Sequence, residues 1–290
     1  KIASCLRGLG VVEQDKVAFL VERSELYMFC VLGILSCGGV YVPLDDDLPD
    51  ERIRFILEDT GSHVVIVSDD MNERLSKLEY DGVVLNISDI VNSEIGMLSS
   101  LPADYNDLAC ILYTSGTTGV PKGVKITQKS IVNVSQYYSD NYGLNNNDVF
   151  ALFSAIGFDV SNFIIAAVLY SGSCLSVIPE DIRLNMVEMN NYFTTQGVTH
   201  AFLTTQIAKL FMESVSDISL DVLLVAGEKL GEAHEQTVCK LVCIGNYTAY
   251  DIAHGVSVKK AQRQLLYPVK CGVSDRKVLN VLVGMGYGVG

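Results

Sequence analysis

Apolar residues fall in short unbroken runs separated by stretches of mixed character. VAFLVE (17–22), VYVPL (40–44) and HVVIVSD (63–69) read as strands, and ELYMFCVLGILS between the first two has helical length. Pro49 opens DERIRFILEDTG, with Asp50 and Glu51 in its first turn and Gly61 at its end, which are helix start and stop signals. Strands with no polar face, alternating with helices, are the pattern of βαβ units in a parallel sheet. A polar, less regular stretch occupies 70–106. The alternation then resumes with LACILYT (108–114), a helix in QKSIVNVSQYYSDNYG ending at Gly143, and VFALFSA (149–155). The apolar helix SNFIIAAVLYSG, CLSVI (174–178), a helix to Gly197, HAFLTT (200–205), QIAKLFMES and DVLLVAG (221–227) continue the series. The pattern predicts two successive α/β runs, 1–100 and 101–252, with the join inside 88–106. Residues 253–290 read as the truncated start of a third, β-rich part.

No residue from Leu26 to Leu44 is charged, a length that invites comparison with a membrane span. Gly38-Gly39 and Pro43 divide that run, so a buried helix, a turn and a buried strand are expected instead. With 290 residues, two domains or one large one are expected. A hydrophobic fraction of 49% excludes disorder. The net charge of −13, with no basic cluster, argues against nucleic acid or an anionic membrane as partner.

The eight cysteines form no CxxC pair and mostly sit in apolar runs, which reads as free buried thiols in a reducing, cytoplasmic compartment. Cys239 and Cys243, with His234 nearby, are the one candidate metal cluster. A helix end running into a strand explains them better, because a closed zinc site needs four ligands. The first residues, KIASCLRGLG, lack both an initiator Met and a signal-peptide pattern, so the chain reads as starting inside a longer protein.

The segment Tyr113-Thr114-Ser115-Gly116-Thr117-Thr118-Gly119-Val120-Pro121-Lys122-Gly123 carries the densest chemistry. Small residues let backbone N–H groups approach an anion, glycine tolerates the positive φ of an anion-binding nest, and hydroxyls add donors. Lys122 adds a full positive charge. The loop is expected to follow a strand, precede a helix and cradle a polyphosphate. It is not a Walker loop, since two residues rather than four separate Gly116 from Gly119 and Gly follows Lys122.

This string resembles the phosphate-loop signature of the adenylate-forming superfamily, which includes acyl-CoA synthetases, firefly luciferases and the adenylation domains of nonribosomal peptide synthetases. The resemblance extends in order along the chain. LGILSCGGVYVPLDDDLPDERIRFILEDT (32–60) is similar to the preceding core motif of the peptide-synthetase branch, Phe158-Asp159-Val160-Ser161 to the following one, and THAFLTTQIAKLF and DVLLVAGEKL to later segments.

The resemblance implies two stacked α/β subdomains with mainly parallel sheets, the large N-terminal domain of the family. It implies truncation at both ends, and that the small C-terminal domain with its catalytic lysine is absent, so this fragment holds no catalytic residue. It implies activation of a carboxylate by ATP as an acyl-adenylate, with ATP and Mg²⁺ as cofactors. Thr114, Ser115, Gly116, Thr117, Thr118, Gly119 and Lys122 would wrap the ATP phosphates; Gly227, Glu228, Asn246 and Tyr247 would lie around adenine. Asp159 matches the carboxylate that binds an amino acid's α-ammonium, and a helix cap is the alternative. Val160, Phe163, Phe202, Leu224 and Ala226 match the other pocket positions, all apolar, with core packing the alternative for each.

The sequence departs from the family at Gly245-Asn246-Tyr247-Thr248-Ala249-Tyr250-Asp251, where the Gly-Pro turn is lost. In one alignment Asp251 replaces the family's Mg²⁺-binding Glu; in the other Ala249 takes that position and the ligand is gone. The implied partners are an amino-acid substrate, a carrier protein whose phosphopantetheine thiol accepts the acyl group, and other synthetase modules. An acyl-CoA synthetase and a non-catalytic descendant are the rival readings.

Overall fold

A computed structural model describes residues 1–94, 96, 101–114 and 120–227, and the backbone of 241–243. It divides into two compact units, Lys1–Ile131 with Ala155–Asn162, and Val132–Ser154 with the described residues from Phe163 on.

In the first unit, helix α1 (Ile2–Gly8) precedes β1 (Lys16–Leu20), α2 (Leu26–Ser36), β2 (Val40–Leu44), α3 (Asp50–Thr60) and β3 (Val64–Val67). Helix α4 (Asp69–Ser76), β4 (Val83–Asn86), α5 (Ile87–Asn92), β5 (Leu108–Thr114) and β6 (Lys122–Thr127) follow. The strands form one sheet in the order β4-β3-β1-β2-β5-β6, parallel except for the antiparallel pair β5–β6.

The uncharged run 26–44 resolves into α2, a turn with Gly38 at φ +83, and the wholly buried β2. Among the described residues no helix is long and apolar enough to cross a membrane. Both faces of β1 and β2 are covered, which is why their sequences lack alternation. Ala18, Leu20, Val42 and Leu44 pack with Ile53, Ile56 and Leu57 of α3. Phe19 stacks instead against Tyr27 of α2 and Tyr41 of β2, each 6.4 Å away between ring centroids. Each such fully buried large side chain contributes roughly 1.5–3 kcal/mol.

Helix α3 starts and stops where its signals predict. Pro49 caps it, and Gly61 (φ +61) follows it in the left-handed conformation, with Ser62 N–H closing onto Leu57 O.

The join does not fall inside 88–106. LACILYT, assigned above to the second run, is β5, and it pairs with β2 in the first sheet. The Gln14 side chain braces this arrangement: its Oε1 accepts from Leu108 N–H (2.9 Å) and its Nε2 donates to Leu108 O (3.2 Å). The first sheet therefore ends only with β6.

Helix α6 (Gln128–Tyr142) leads to β7 (Val149–Leu152), α7 (Asp159–Ser171), β8 (Cys174–Val177), α8 (Met186–Gln196), β9 (His200–Thr204), α9 (Thr205–Ser214), β10 (Val222–Ala226) and β11 (Leu241–Cys243). The second sheet runs β11-β10-β9-β7-β8 and is parallel throughout. Ala201 and Leu203 of β9 and Leu223 and Val225 of β10 share a core with Met189 and Phe193 of α8 and Ala208 and Phe211 of α9. Strand order reverses between β7 and β9; in open α/β sheets the crevice beyond the carboxyl ends at such a reversal is where ligands bind.

Cys30, Cys37 and Cys110 are free and buried, and burial pushes their thiols up, which makes them unreactive. Cys174 departs from the expectation of burial: it begins β8, at the start of an incompletely covered strand, and is exposed.

Candidate functional site

The phosphate-type loop is the connection of a β-hairpin. Thr114 and Lys122 are register partners at the loop end of β5–β6, and both are exposed. The expectation that a helix follows the loop directly is thus corrected: β6 intervenes before α6. KGVKIT has few apolar residues, but Val124 and Ile126 turn inward at alternate positions while Lys122 and Lys125 stay in solvent, the pattern of a charged edge strand.

The stem is fastened close to the loop. Tyr113 lies opposite Gly123, its ring meets Phe55 of α3 edge-on at 6.3 Å, and its hydroxyl donates to Asp59 of α3. Burial and the Asp59 carboxylate raise the Tyr113 phenol, so it stays a donor. A Cβ at residue 123 would stand 3.1 Å from both Ile111 Cγ2 and Tyr113 Cζ, so glycine is what lets the Tyr113 ring lie across the partner strand.

The second candidate segment leaves β7 and ends at Asp159, the first residue of α7. Ser161 lies in the first turn of α7 and is buried. Its hydroxyl donates to Ala155 O (2.7 Å), and Asn162 Nδ2 donates to Ile156 O (2.7 Å) and Phe158 O (2.9 Å). These side chains brace the carbonyls of the preceding loop. Asn162 Oδ1 is buried without a hydrogen-bond partner among the described residues.

The loop is also held from the first sheet. Asp45, directly after β2 and 8% exposed, accepts the Gly157 N–H at Oδ1 (2.9 Å). Burial first, with help from Asp47 and Asp46, pushes the Asp45 carboxyl up to about 6 against the opposing pull of the Gly157 N–H and Arg23. The reading of the sequence gave Asp45 no role. Its only sequence signal is a carboxylate set immediately behind five apolar strand residues.

Asp159 is exposed, and its Oδ1 accepts from Val160 N–H (2.7 Å), so it does serve the helix start. Crowding by protein raises its carboxyl above the usual range, against the pull of the Val160 N–H and its own. Exposure and crowding are compatible, because a side chain can meet water on one side while protein surrounds the rest.

Phe163 stands one turn beyond Asp159 on α7 and is buried. Phe202 of β9 and Leu224 of β10 are register partners, both buried, on the sheet face opposite Ala201, Leu203, Leu223 and Val225. Val160 and Ala226 are half-buried, Ala226 lies opposite Thr204, and Gly227 takes φ +117, which favours glycine. The expectations for Ser115, Gly116, Thr117, Thr118, Gly119, Glu228, Asn246, Tyr247 and Asp251 lie outside the described residues, as do those for His234 and the Cys239 and Cys243 side chains. Among the described residues no group of three or more His, Cys, Asp or Glu is placed to hold a metal ion.

A family model described as AMP-binding enzyme matches residues 1–252. The chain is 36% identical over 239 residues to surfactin synthase subunit 1 of Bacillus subtilis (strain 168), covering 80% of this chain and 7% of that protein. For subunit 2 of the same synthase the identity is 37% over 245 residues, covering 80% and 7%. Among solved structures, the N-terminal subdomain of Klebsiella oxytoca NpsA in complex with 3-hydroxybenzoyl-AMSN matches with TM-score 0.69 at 27% identity, over 79% of this chain and 58% of that one. The AMPPNP-bound form of the nonribosomal peptide synthetase FmoA3 (S1046A) matches with TM-score 0.71 at 24% identity, over 79% and 25%, and shares the fold. These likenesses bear out the expected α/β fold with mainly parallel sheets.

Proposed function

Since the chain belongs to the AMP-binding enzyme family, we propose that it holds ATP and an amino acid and directs the amino-acid carboxylate onto the α-phosphorus. A carboxylate oxygen forms the new P–O bond, the bond to the bridging oxygen breaks, and pyrophosphate leaves with that electron pair. The product is an aminoacyl-adenylate. A carrier protein's phosphopantetheine thiol would then take the acyl group and release AMP.

The chain's contribution is positioning and charge neutralisation, since phosphoryl chemistry leaves little covalent work to the protein. Lys122 and the Thr114 hydroxyl, from residues paired at the loop end of the hairpin, would meet the phosphates of ATP. They fit that group: a cation and a donor flank a loop of Gly, Ser and Thr. A divalent ion would supply further neutralisation of the phosphates. The residue expected to hold it, Asp251, lies outside the described residues, so no step is assigned to it.

The observation that carries the amino-acid half of the reading is Asp159, an exposed carboxylate at the head of α7 with one oxygen on Val160 N–H. A carboxylate there favours a substrate bearing an ammonium and disfavours a plain fatty acid, whose chain would meet an uncompensated charge. The similarity to two surfactin synthase subunits supports this side of the family.

The test is ATP–pyrophosphate exchange by the protein at its full native length, comparing wild type with Asp159→Ala. The reading expects exchange with the preferred amino acid to fall at least about 10-fold, as loss of a charge-assisted bond implies. Unchanged amino-acid exchange in Asp159→Ala would overturn the role given to that carboxylate.

A further inference from the structure

We propose that Asp45 is a positioning residue for amino-acid recognition: its carboxylate grips the Gly157 N–H and so fixes the loop that delivers Asp159 to the head of α7. This inference rests on the reading of Asp159 as the ammonium anchor.

The geometry is specific. Asp45 follows β2 directly, so its backbone is set by a strand buried along its whole length. Its Oδ1 lies 2.9 Å from Gly157 N, a contact between residues 112 positions apart. Its Oδ2 lies only 2.3 Å from where a Cβ on residue 157 would stand, so the carboxylate occupies the space that glycine leaves. Two features of the pair are therefore matched: an N–H that points at the carboxylate, and the absence of a side chain that would push it away.

The other side-chain bonds of this segment are internal. Ser161 and Asn162 donate to carbonyls of residues 155, 156 and 158, which shapes the loop but does not anchor it. The Asp45 bond ties the loop to the carboxyl end of β2. Gly157 is two residues before Asp159, so a shift at Gly157 moves the anchoring carboxylate with it. A misplacement of about 1 Å is enough to weaken a positioned contact severely. An ionised acceptor also makes a shorter and stronger bond to an N–H than a neutral one does.

The experiment uses the full-length native protein and ATP–pyrophosphate exchange with its preferred amino acid. Asp45→Ala is expected to raise KM for the amino acid about 10-fold while KM for ATP stays within about twofold. Asp45→Asn keeps an oxygen acceptor for Gly157 and is expected to restore most of the amino-acid affinity. Gly157→Ala strikes the same contact from the other side and should reproduce the Asp45→Ala pattern, which keeps the test open if one variant fails to fold. Amide hydrogen exchange supplies a readout without turnover: protection across 155–159 should fall in Asp45→Ala and be kept in Asp45→Asn.

Equal rises in both KM values, or unaltered kinetics and protection in Asp45→Ala, would overturn the proposal. Asp159→Ala in the same assay separates the two levels. If it loses amino-acid exchange while Asp45→Ala leaves the amino-acid KM unchanged, the positioning role fails and the function stands. If Asp159→Ala changes nothing, the anchor reading fails and this inference falls with it.

Discussion

The hairpin stem that ends at Thr114 and Lys122 is fastened by its own cross-strand partners and by the neighbouring α3, through Tyr113, Phe55 and Asp59. The loop ahead of Asp159 is fastened at its middle by Asp45, a residue from a different part of the chain. The difference follows from what each segment presents. A polyphosphate is met by many weak donors, backbone N–H groups and small hydroxyls, so the chemistry is spread along a contiguous string. An ammonium is met by one carboxylate, whose worth depends on where it stands. Contiguous chemistry leaves a signature in composition, whereas a positioned single group depends on contacts that no local motif contains.

That contrast can be broken in order of expected effect. Lys122→Ala should lower pyrophosphate exchange at subsaturating ATP by up to about 100-fold, since a charge-assisted contact is worth about 1.5–3 kcal/mol. Because Lys122 is exposed, its thermal midpoint should move little. A large midpoint shift would mean the residue holds the stem rather than the ligand. Gly157→Ala should weaken amino-acid binding and also destabilise the fold by about 1–3 kcal/mol, since its Cβ collides with Asp45; chemical denaturation reads the second effect directly.

Asp45→Asn sharpens the comparison through pH. The folded-state carboxyl titrates near 6 instead of 3.8, because burial disfavours its charge. The folded state therefore binds the proton more tightly than the unfolded state. Stability is greatest below about pH 4 for this group and declines as pH rises through about 6. Asp45→Asn should remove that decline and gain on the order of 2 kcal/mol at pH 7 relative to wild type, measured by denaturation at pH 5 and pH 8. Wild type and variant declining in parallel would contradict it. Tyr113→Phe is the smallest expected change: it loses the Asp59 bond, worth about 0.5–1.5 kcal/mol, while keeping the ring on Phe55.

The strands were legible wherever burial on both faces made them continuous. VYVPL and LACILYT coincide with β2 and β5, because no polar residue interrupts either run. Helices α3, α6 and α8 end at Gly61, Gly143 and Gly197, all at positive φ, as their C-terminal signals indicate. Several of the missed elements bury little, although α1, also missed, buries Ile2, Ala3 and Leu6. Helix α4 buries only Leu75, β4 exposes both its valines, and β6 carries two lysines and a glycine. The membership of β5 in the first sheet was hidden for another reason: strand order is set by long-range pairing, and an apolar run has the same appearance in either sheet.

In the candidate site, the Gly/Ser/Thr/Lys string could be singled out from the residues themselves, and Asp159 through the family resemblance. Asp45 could not, because a carboxylate after a strand is common and its partner is a backbone N–H far along the chain. Ser161 and Asn162 were also opaque, since their work lies in hydrogen bonds to carbonyls within the loop.

The central claim is that this chain activates an amino acid through ATP. The measurement that tests it most directly is ATP–pyrophosphate exchange by the protein at its full native length, scanned across amino acids and simple fatty acids. The account predicts exchange with one or a few amino acids and none above background with fatty acids. Exchange driven by fatty acids, or by nothing at all despite measurable ATP binding, would contradict it.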